Sequence, residues 1–587
     1  MTEKRRAMSD LLCLLPYSRP YASRIVLTVV IMLAGTAISI VLPLISRLAI
    51  DVYVMEADYR GLIRVILGAA GLFVLMNVIH SLRARIMARV GQDTIRAIRT
   101  DLFVRLQTLP VQFFDKIPVG KVVTRLTSDV DAVSELVSNA IINLVVDSLK
   151  LVGFLGFMFY LDYRLTLITM AFLPLLVFAM TFLNQRIRKA EDAVREQASV
   201  VNASVQETMS GIKVIQAFGA EEHFADTFAD KNRQLLVFGN RAVATFAFFW
   251  PIVDLSWILS VAALVFFGGR WVIEGSTTIG TLIAFFAYNG QFFGPLRGLS
   301  QAYRIIQRAL AGAVRINEIF ATAPEVDESL PPMRPVKGAV EFRGVTFGYE
   351  DDEMVLEDID IAVNPGETIA LVGHTGAGKT SIINLLCRFY RPQSGEILVD
   401  GQNIAERELI SYRRQIGLVL QDPFLFSGTL RDNLRLGAPL AADEDMWGAL
   451  TAVGLNDALV EHGITLDFIL AERGSNFSSG QRQLISFARA LLADPRILIL
   501  DEATAYVDTL TEQKIQTALR TLLQGRTSFV IAHRLSTIRG ADRILVIGHG
   551  AILESGTHDE LLEQRGEYWQ LCQAQLSPYT DQPPAGY

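Results

Sequence analysis

The residues best suited to chemistry lie in the second half of the chain. In ETIALVGHTGAGKTSIINLLCRF, an apolar run from Thr368 to Val372 leads into Gly373, His374, Thr375, Gly376, Ala377, Gly378, Lys379 and Thr380, then into an apolar-periodic segment. This is the P-loop pattern in the strand, loop and helix context it requires. The glycines let backbone N–H groups close around a phosphate, Lys379 reaches the terminal oxygens, and Thr380 offers a hydroxyl to Mg²⁺. Downstream, RILILDEATAYVD reads as an apolar strand ending in Asp501 and Glu502. A carboxylate at the C-terminal edge of a strand beside a P-loop suits Mg²⁺, and Glu502 is then placed to orient or deprotonate an attacking water. A second small-residue turn, GSNFSSGQRQLISFARALL, opens onto a helix at Ser478, Ser479 and Gly480, whose free N–H groups also suit an anion. Two phosphate-type sites in one chain raise the question of which phosphate the second one serves.

Those residues need rigid elements behind them. The flanking pattern supplies short apolar runs of strand length before the P-loop and before Asp501, and helical periodicity after the loop. A strand-like stretch, AVEFRGVTFGY, opens this region, and a linker rich in proline and acid, ATAPEVDESLPPMRPVKGAV, precedes it. The half before the linker is of another kind. Over 587 residues the chain is 51% hydrophobic and 20% charged, with a mean hydropathy of +0.33; it is too apolar for an ordinary soluble protein and too long for one core. The excess concentrates in six runs of roughly membrane-spanning length, about 20 residues, near 25–45, 62–79, 137–161, 165–182, 243–268 and 279–296. The long connections after the second and fourth runs carry Arg83, Arg85, Arg89, Arg96, Arg186, Arg188, Lys189 and Arg195, whereas the short ones offer little beyond Arg60, Arg164 and Arg270. The positive-inside rule then makes the long connections and both termini cytoplasmic. The expected layout is multi-domain: an all-α six-helix transmembrane domain over 1–325, a linker over 326–338, an α/β P-loop NTPase domain over 339–575 and a flexible tail over 576–587.

Other classes are disfavoured. Cys13, Cys387 and Cys572 show no CxxC spacing, so neither a disulfide framework nor a zinc site is expected. A net charge of −7 gives no pull toward nucleic acid. The apolar run LLCLLPY after Lys4, Arg5 and Arg6 is short and lacks a small-residue cleavage pattern, so it does not read as a cleaved signal peptide. Within the spans stand Asn77, Asn143, Asp147, Asp254, Asn289 and Gln291. A charge at the bilayer centre costs about 2.5–3.5 kcal/mol on insertion scales, so Asp147 and Asp254 are expected to face a cavity or a partner. Substrate contact and helix–helix hydrogen bonding explain them equally well.

Taken with FSSGQRQ between them, the P-loop and the Asp501–Glu502 strand resemble the motifs of the ATP-binding cassette family. The whole chain resembles its exporter branch, six helices fused ahead of one nucleotide-binding domain. The resemblance implies ATP and Mg²⁺ as cofactors. Tyr349 in FGYE falls where an aromatic stacks on adenine, and Ser381 joins the phosphate contacts after Thr380. Gln421 in LVLQDPFLF falls where a glutamine senses Mg²⁺ and the γ-phosphate, His533 in FVIAHRLSTI on the γ-phosphate histidine, and Asp508 in AYVD on the loop that crosses to a partner domain. Ser478, Gly480 and Gln481 then face ATP held by a second nucleotide-binding domain, which answers the question of the second site: two such domains sandwich two ATP molecules. The family signature is Leu-Ser-Gly-Gly-Gln, and this chain departs from it with Phe477 and Ser479, leaving homodimer and heterodimer both open.

By the same resemblance, the turnarounds near 113–115 and 210–219 are similar to the coupling helices of exporters, and Glu472 lies in a segment that meets them. From spacing alone they are equally well read as helix-hairpin tips. The resemblance implies a dimeric pump in the cytoplasmic membrane, surrounded by membrane lipids. Its cargo would be amphipathic or hydrophobic, a drug-like molecule or a lipid. A lipid flippase and a nucleotide-gated channel are the alternatives.

Overall fold

The computed structural model describes residues 2–326, 329–350, 353–501, 509–532 and 538–576. The chain forms two compact units, Met1–Val104 with Gly120–Ala321, and Arg105–Val119 with Thr322–Tyr587.

The first unit is helical. Its principal helices are Ala22–Leu48, Tyr59–Gln107, Ile141–Leu161, Tyr163–Ala171, Leu173–Ser210, Glu221–Ala247, Phe249–Ala263 and Ile279–Ala321. Tyr59–Gln107, which runs on into the second unit, has 49 residues. At 1.5 Å per residue it measures about 73 Å, more than twice the hydrocarbon thickness of a bilayer. Among the described residues, four helical runs are long and apolar enough to cross a membrane by length and composition: Met8–Val54, Tyr59–Gln107, Val119–Leu161 and Asp254–Ile273. The other two expected spans are also helical but fall short of that measure. Near 165–182 the helix breaks at Phe172, just before Pro174. Near 279–296 the hydropathy is diluted by Asn289, Gln291 and Pro295 inside one continuous helix.

Local chemistry explains the turns. Asp162 has an extended backbone, and its carboxylate accepts from the N–H groups of Arg164 and Leu165, capping the next helix and turning the chain between the third and fourth spans. Asp51, at the end of the first span, accepts from Thr278 Oγ1 at 2.6 Å and from Gly280 N at 2.8 Å, capping the last long helix from a distant part of the chain. At the other end of that helix three ion pairs join it to the segment after the first turnaround: Arg125 with Glu318 at 2.8 Å, Asp129 with Arg315 at 2.5 Å and Glu135 with Arg308 at 3.1 Å.

Among its described residues the second unit carries twelve strands: β1 Val340–Phe347, β2 Leu356–Val363, β3 Thr368–Val372, β4 Ser394–Val399, β5 Gln402–Asn403, β6 Ile416–Val419, β7 Gly428–Thr429, β8 Ile469–Leu470, β9 Ile497–Asp501, β10 Thr527–Ile531, β11 Arg543–Gly548 and β12 Ala551–Gly556. An antiparallel sheet has the order β2-β1-β4-β5, and a six-stranded sheet the order β12-β11-β3-β10-β9-β6, parallel except at β12. Alternation along each strand feeds two cores. Ile497 and Ile499 of β9 join one with Ile369, Leu371 and Phe529, while Leu498 and Leu500 join the other with Ala370, Val372 and Val530. Burial on both faces is why RILILD is an unbroken apolar run. Each such side chain contributes about 1.5–3 kcal/mol of burial.

The segment Arg105–Val119 folds with this second unit. Arg105 Nη2 donates to Thr322 O at 2.6 Å, and Glu325 N donates to Thr108 O at 2.7 Å. The short helix Val111–Lys116 presents Asp115, whose carboxylate accepts from the Tyr390 hydroxyl.

Candidate functional site

Five parallel strands, β11, β3, β10, β9 and β6, run the same way through the six-stranded sheet, and the register of the last four places the sequence motifs side by side. Ile531 of β10 pairs with Asp501 of β9 and with Leu371 of β3, and Val419 of β6 pairs with Leu500 of β9. The P-loop leaves β3, Asp501 ends β9, and Gln421 follows β6 two residues past its end. The carboxyl edge of parallel strands is where ligands bind in open α/β sheets.

The loop itself depends on glycine. Gly373 has φ +152°, and a Cβ there would lie 2.1 Å from Ile547 O. Gly378 has φ +102°, and a Cβ there would meet a Leu356 methyl carbon at 2.6 Å. Gly376 is also left-handed, at φ +85°, while Ala377 is buried between them. This backbone turns into the helix Lys379–Leu386, whose first N–H groups point back to the loop. Lys379 is only 8% exposed, and its ammonium donates to the carbonyls of Gly373 and His374, both at 2.8 Å. Burial lowers its pKa, and the Asp501 carboxylate opposes that shift. Thr375 and Thr380 are exposed, as is Gln421.

The remaining residues have engagements that the sequence did not announce. Tyr349 is 37% exposed. Its ring packs edge-on to Phe347 and Tyr390 at 4.9 and 5.0 Å, and its hydroxyl bonds Ser381 Oγ and Asn384 Nδ2, both at 3.1 Å. Tyr349 therefore sits against the P-loop helix, while buried Ser381 is turned toward that tyrosine. His374, exposed in the loop, places Nε2 3.1 Å from Glu567 Oε1. Tyr390 and Glu567 are the participants that sequence reasoning missed, whereas Asp115 belongs to the turnaround near 113–115 that it did single out. Tyr390 and Glu567 lie 275 and 193 residues from their partners Asp115 and His374, and no spacing rule connects them.

At the second site, Ser478 caps the helix Ser479–Leu492. Its hydroxyl accepts from Gln481 N at 3.2 Å, and the Gln481 side-chain oxygen accepts from Ser478 N at 2.9 Å, a reciprocal capping box. Gly480 is buried and Ser479 exposed. That helix packs on β6 and on the helices Leu430–Arg435, Asp443–Ala452 and Thr509–Leu523, whereas the P-loop helix packs on β10. The two anion-type helix starts thus belong to different layers of the unit. Glu502, Asp508 and His533 lie outside the described residues.

Comparison with known proteins agrees with this layout. Residues 25–296 match the model of the ABC transporter transmembrane region, and residues 356–505 that of the ABC transporter. An uncharacterized ABC transporter ATP-binding protein of Bacillus subtilis, YknV, is 40% identical over 96% of this chain and 94% of its own length. An ATP-dependent lipid A-core flippase of Syntrophus aciditrophicus is 35% identical over 96% of this chain and 94% of its own. A bacterial Atm1-family ABC exporter solved with ATP bound superposes with a TM-score of 0.77 at 27% identity, over 95% of this chain and 99% of that one. The chain belongs to the ABC transporter family: it is an exporter-type half-transporter, with a helical membrane domain ahead of an ATP-binding domain whose hydrolysis of ATP is coupled to transport.

Proposed function

We propose that two such chains form a pump that exports an amphipathic or hydrophobic molecule across the cytoplasmic membrane. The observation that carries this reading is the register that gathers the P-loop, Asp501 and the start of the Gln421 segment at one sheet edge. In this reading the N–H groups of 373–380 cradle the β- and γ-phosphates, Lys379 exchanges its loop carbonyls for phosphate oxygens, and Tyr349 bears the adenine. Thr380, Gln421 and Asp501 are hard oxygen donors suited to Mg²⁺, which when bound neutralises developing charge on the phosphates. Glu502 orients the attacking water, His533 steadies the γ-phosphate, and Asp508 reaches the partner. Ser478, Gly480 and Gln481 close on ATP held by the partner chain. The capping box uses the N–H groups of Ser478 and Gln481 and fixes the helix start, so the N–H groups of Ser479 and Gly480, which lie outside the box, need little reordering when the two chains close.

The nucleotide domain and both termini face the cytoplasm in this reading. Asp115 on Tyr390 ties the first turnaround to the nucleotide domain, while the second, Ile212–Ala217, offers Val214 and Phe218 in the open for the partner. Replacing Glu502 with Gln tests the core of the proposal. ATP binding should persist while turnover in proteoliposomes falls by at least a hundredfold, about 2.7 kcal/mol of transition-state stabilisation. Undiminished hydrolysis in a preparation where every site carries the change would remove the assigned role. A lipid cargo moved by the same machine is the second reading, favoured by the lipid A-core flippases among the relatives.

A further inference from the structure

The last two helices of the nucleotide domain, His558–Gln564 and Glu567–Leu576, connect to the P-loop on one side and to the segment after His533 on the other, through two neighbouring residues. Glu567 Oε1 lies 3.1 Å from His374 of the P-loop, while Tyr568, fully buried, points the other way into the core. Their backbone is clamped: the Glu554 carboxylate of β12 accepts from the N–H groups of Glu567, at 2.6 Å, and of Tyr568, at 3.1 Å. Gly566 makes that approach possible, since a Cβ there would stand 1.9 Å from Glu554 Oε1. β12 pairs with β11 and β11 with β3, so the clamp is built on the sheet that carries the P-loop.

From Tyr568 a hydrogen-bonded chain leads back to Arg539, which stands six residues after His533. Arg539 Nε donates to His558 Nε2 at 3.2 Å. A guanidinium has no acceptor, so Nε2 supplies the lone pair and the proton sits on Nδ1, which donates to the Tyr568 hydroxyl at 2.7 Å. Burial, and after it the Cys572 thiol, push the Tyr568 hydroxyl well above the ordinary phenol range, so it stays protonated. Arg539 has no carboxylate within 4.0 Å among the described residues, and His558 is its acceptor there. Ile538, the residue before it, is buried in the same core as Leu561, Tyr568 and Cys572. Packing alone needs no such relay: apolar side chains at 558 and 568 would fill the same space without desolvating two polar groups. What the relay adds is a fixed direction for Arg539.

We propose that His558 and Tyr568 are positioning residues for ATP hydrolysis: they aim Arg539, and Arg539 anchors the segment that begins at His533 so that this histidine meets the γ-phosphate. The inference rests on the reading of His533 given above. In this role neither His558 nor Tyr568 contacts nucleotide; each acts through the next group in the chain. Because Glu567 and Tyr568 share one clamp, the P-loop and the His533 segment are held to the same point of the sheet. The consequence is kinetic. Without the relay the P-loop still binds ATP while the histidine is poorly aimed, so kcat falls and KM for ATP holds.

The test is ATP hydrolysis by the full-length protein in proteoliposomes, with kcat and KM measured for each variant and the melting temperature in detergent recorded beside them. His558→Asn keeps a donor for Tyr568 and loses the acceptor for Arg539, whereas His558→Gln keeps an acceptor at the reach of Nε2. His558→Asn and Arg539→Ala should each lower kcat about tenfold with KM for ATP within about twofold of the parent, since a small misplacement transmitted to the chemistry costs up to about a hundredfold. His558→Gln should recover most of that loss. Tyr568→Phe, which keeps the ring and frees the His558 tautomer, should lower kcat in the same direction. His558→Asn combined with Arg539→Ala should be no slower than either alone, because both cut the same link. A His558→Asn protein that turns over ATP as the parent does, equal losses in His558→Asn and His558→Gln, additive losses in the double variant, or a kcat that falls only in step with the melting temperature would each overturn the proposal. His533→Ala tells the two readings apart: full turnover in that variant removes the role of His533, whereas a dead His533→Ala protein beside an unimpaired His558→Asn one removes the positioning role and leaves His533 in place.

Discussion

The ion pair between Asp129 and Arg315 yields an asymmetric prediction. Arg315 donates through Nε at 2.7 Å and Nη2 at 2.5 Å to the two oxygens of Asp129, a bidentate fork. The Asp129 side chain is 7% exposed and that of Arg315 is 46% exposed. Gly312 brings helix backbone so close to Asp129 that a Cβ there would lie 3.1 Å from its carbonyl oxygen, so water has little room on that side. At an effective dielectric near 20 and about 4 Å between charge centres, the gross attraction is about 4 kcal/mol. Solvent at the arginine end cuts this toward the range of exposed pairs, while the buried carboxylate end keeps the penalty for losing its partner. Arg315→Ala strands a buried carboxylate and should cost about 2 kcal/mol. Asp129→Asn leaves the arginine free to turn to water, retains one hydrogen bond, and should cost about 1 kcal/mol. Denaturation of the purified protein in detergent, followed by the fluorescence of a probe on the membrane domain, measures both. The reasoning is refuted if Asp129→Asn proves the more damaging change, or if neither shifts the midpoint.

Other outcomes follow from single contacts. Asp51→Ala removes the remote cap of the last long helix and should cost about 1–2 kcal/mol in the same unfolding assay, with Asp51→Asn recovering part of it. Tyr390→Phe should leave ATP affinity unchanged while lowering the cargo moved per ATP several-fold, because it cuts the tie to Asp115 and not the P-loop; parallel binding and proteoliposome transport measurements separate the two. Glu567→Gln should change ATP affinity by less than about fivefold, since a pair this exposed contributes at most about 1 kcal/mol, and calorimetric titration reads it directly. Burial pushes the Cys387 thiol up to about 12, and Cys572 is also buried, so from pH 7 to pH 9 iodoacetamide should modify only Cys13 in the native protein and all three cysteines after unfolding, as counted by mass spectrometry. The sign is fixed by the protonated thiol: unfolded cysteines ionise as pH rises through their ordinary range, whereas native Cys387 stays protonated and resistant until pH climbs toward its folded value of about 12.

What the sequence disclosed and what it withheld divide along a physical line. The P-loop was legible because the chemistry is made by contiguous backbone: six of its eight positions are Gly or Ala or the Lys–Thr pair, and the strand and helix around it are specified by residues within one turn or one strand length. The same holds for Asp501, whose place at the site edge follows once an apolar run long enough for a doubly covered strand ends in a carboxylate. Span positions were legible as apolar length, and the two that fell short as single helices did so through Phe172 before Pro174 and through Asn289 and Gln291, features written in the sequence but weighted by helix continuity that only the folded chain decides.

Contacts between side chains far apart in sequence were not legible, because a side chain's partner is chosen by packing. Asp147 shows why the distinction matters for function. Read alone, a carboxylate in a membrane span is an invitation to a cation. In the fold its carboxylate lies against Gly298 of the last long helix, where a Cβ would stand 2.1 Å from Oδ2, so its surroundings include a third helix that no spacing in the sequence connects to it.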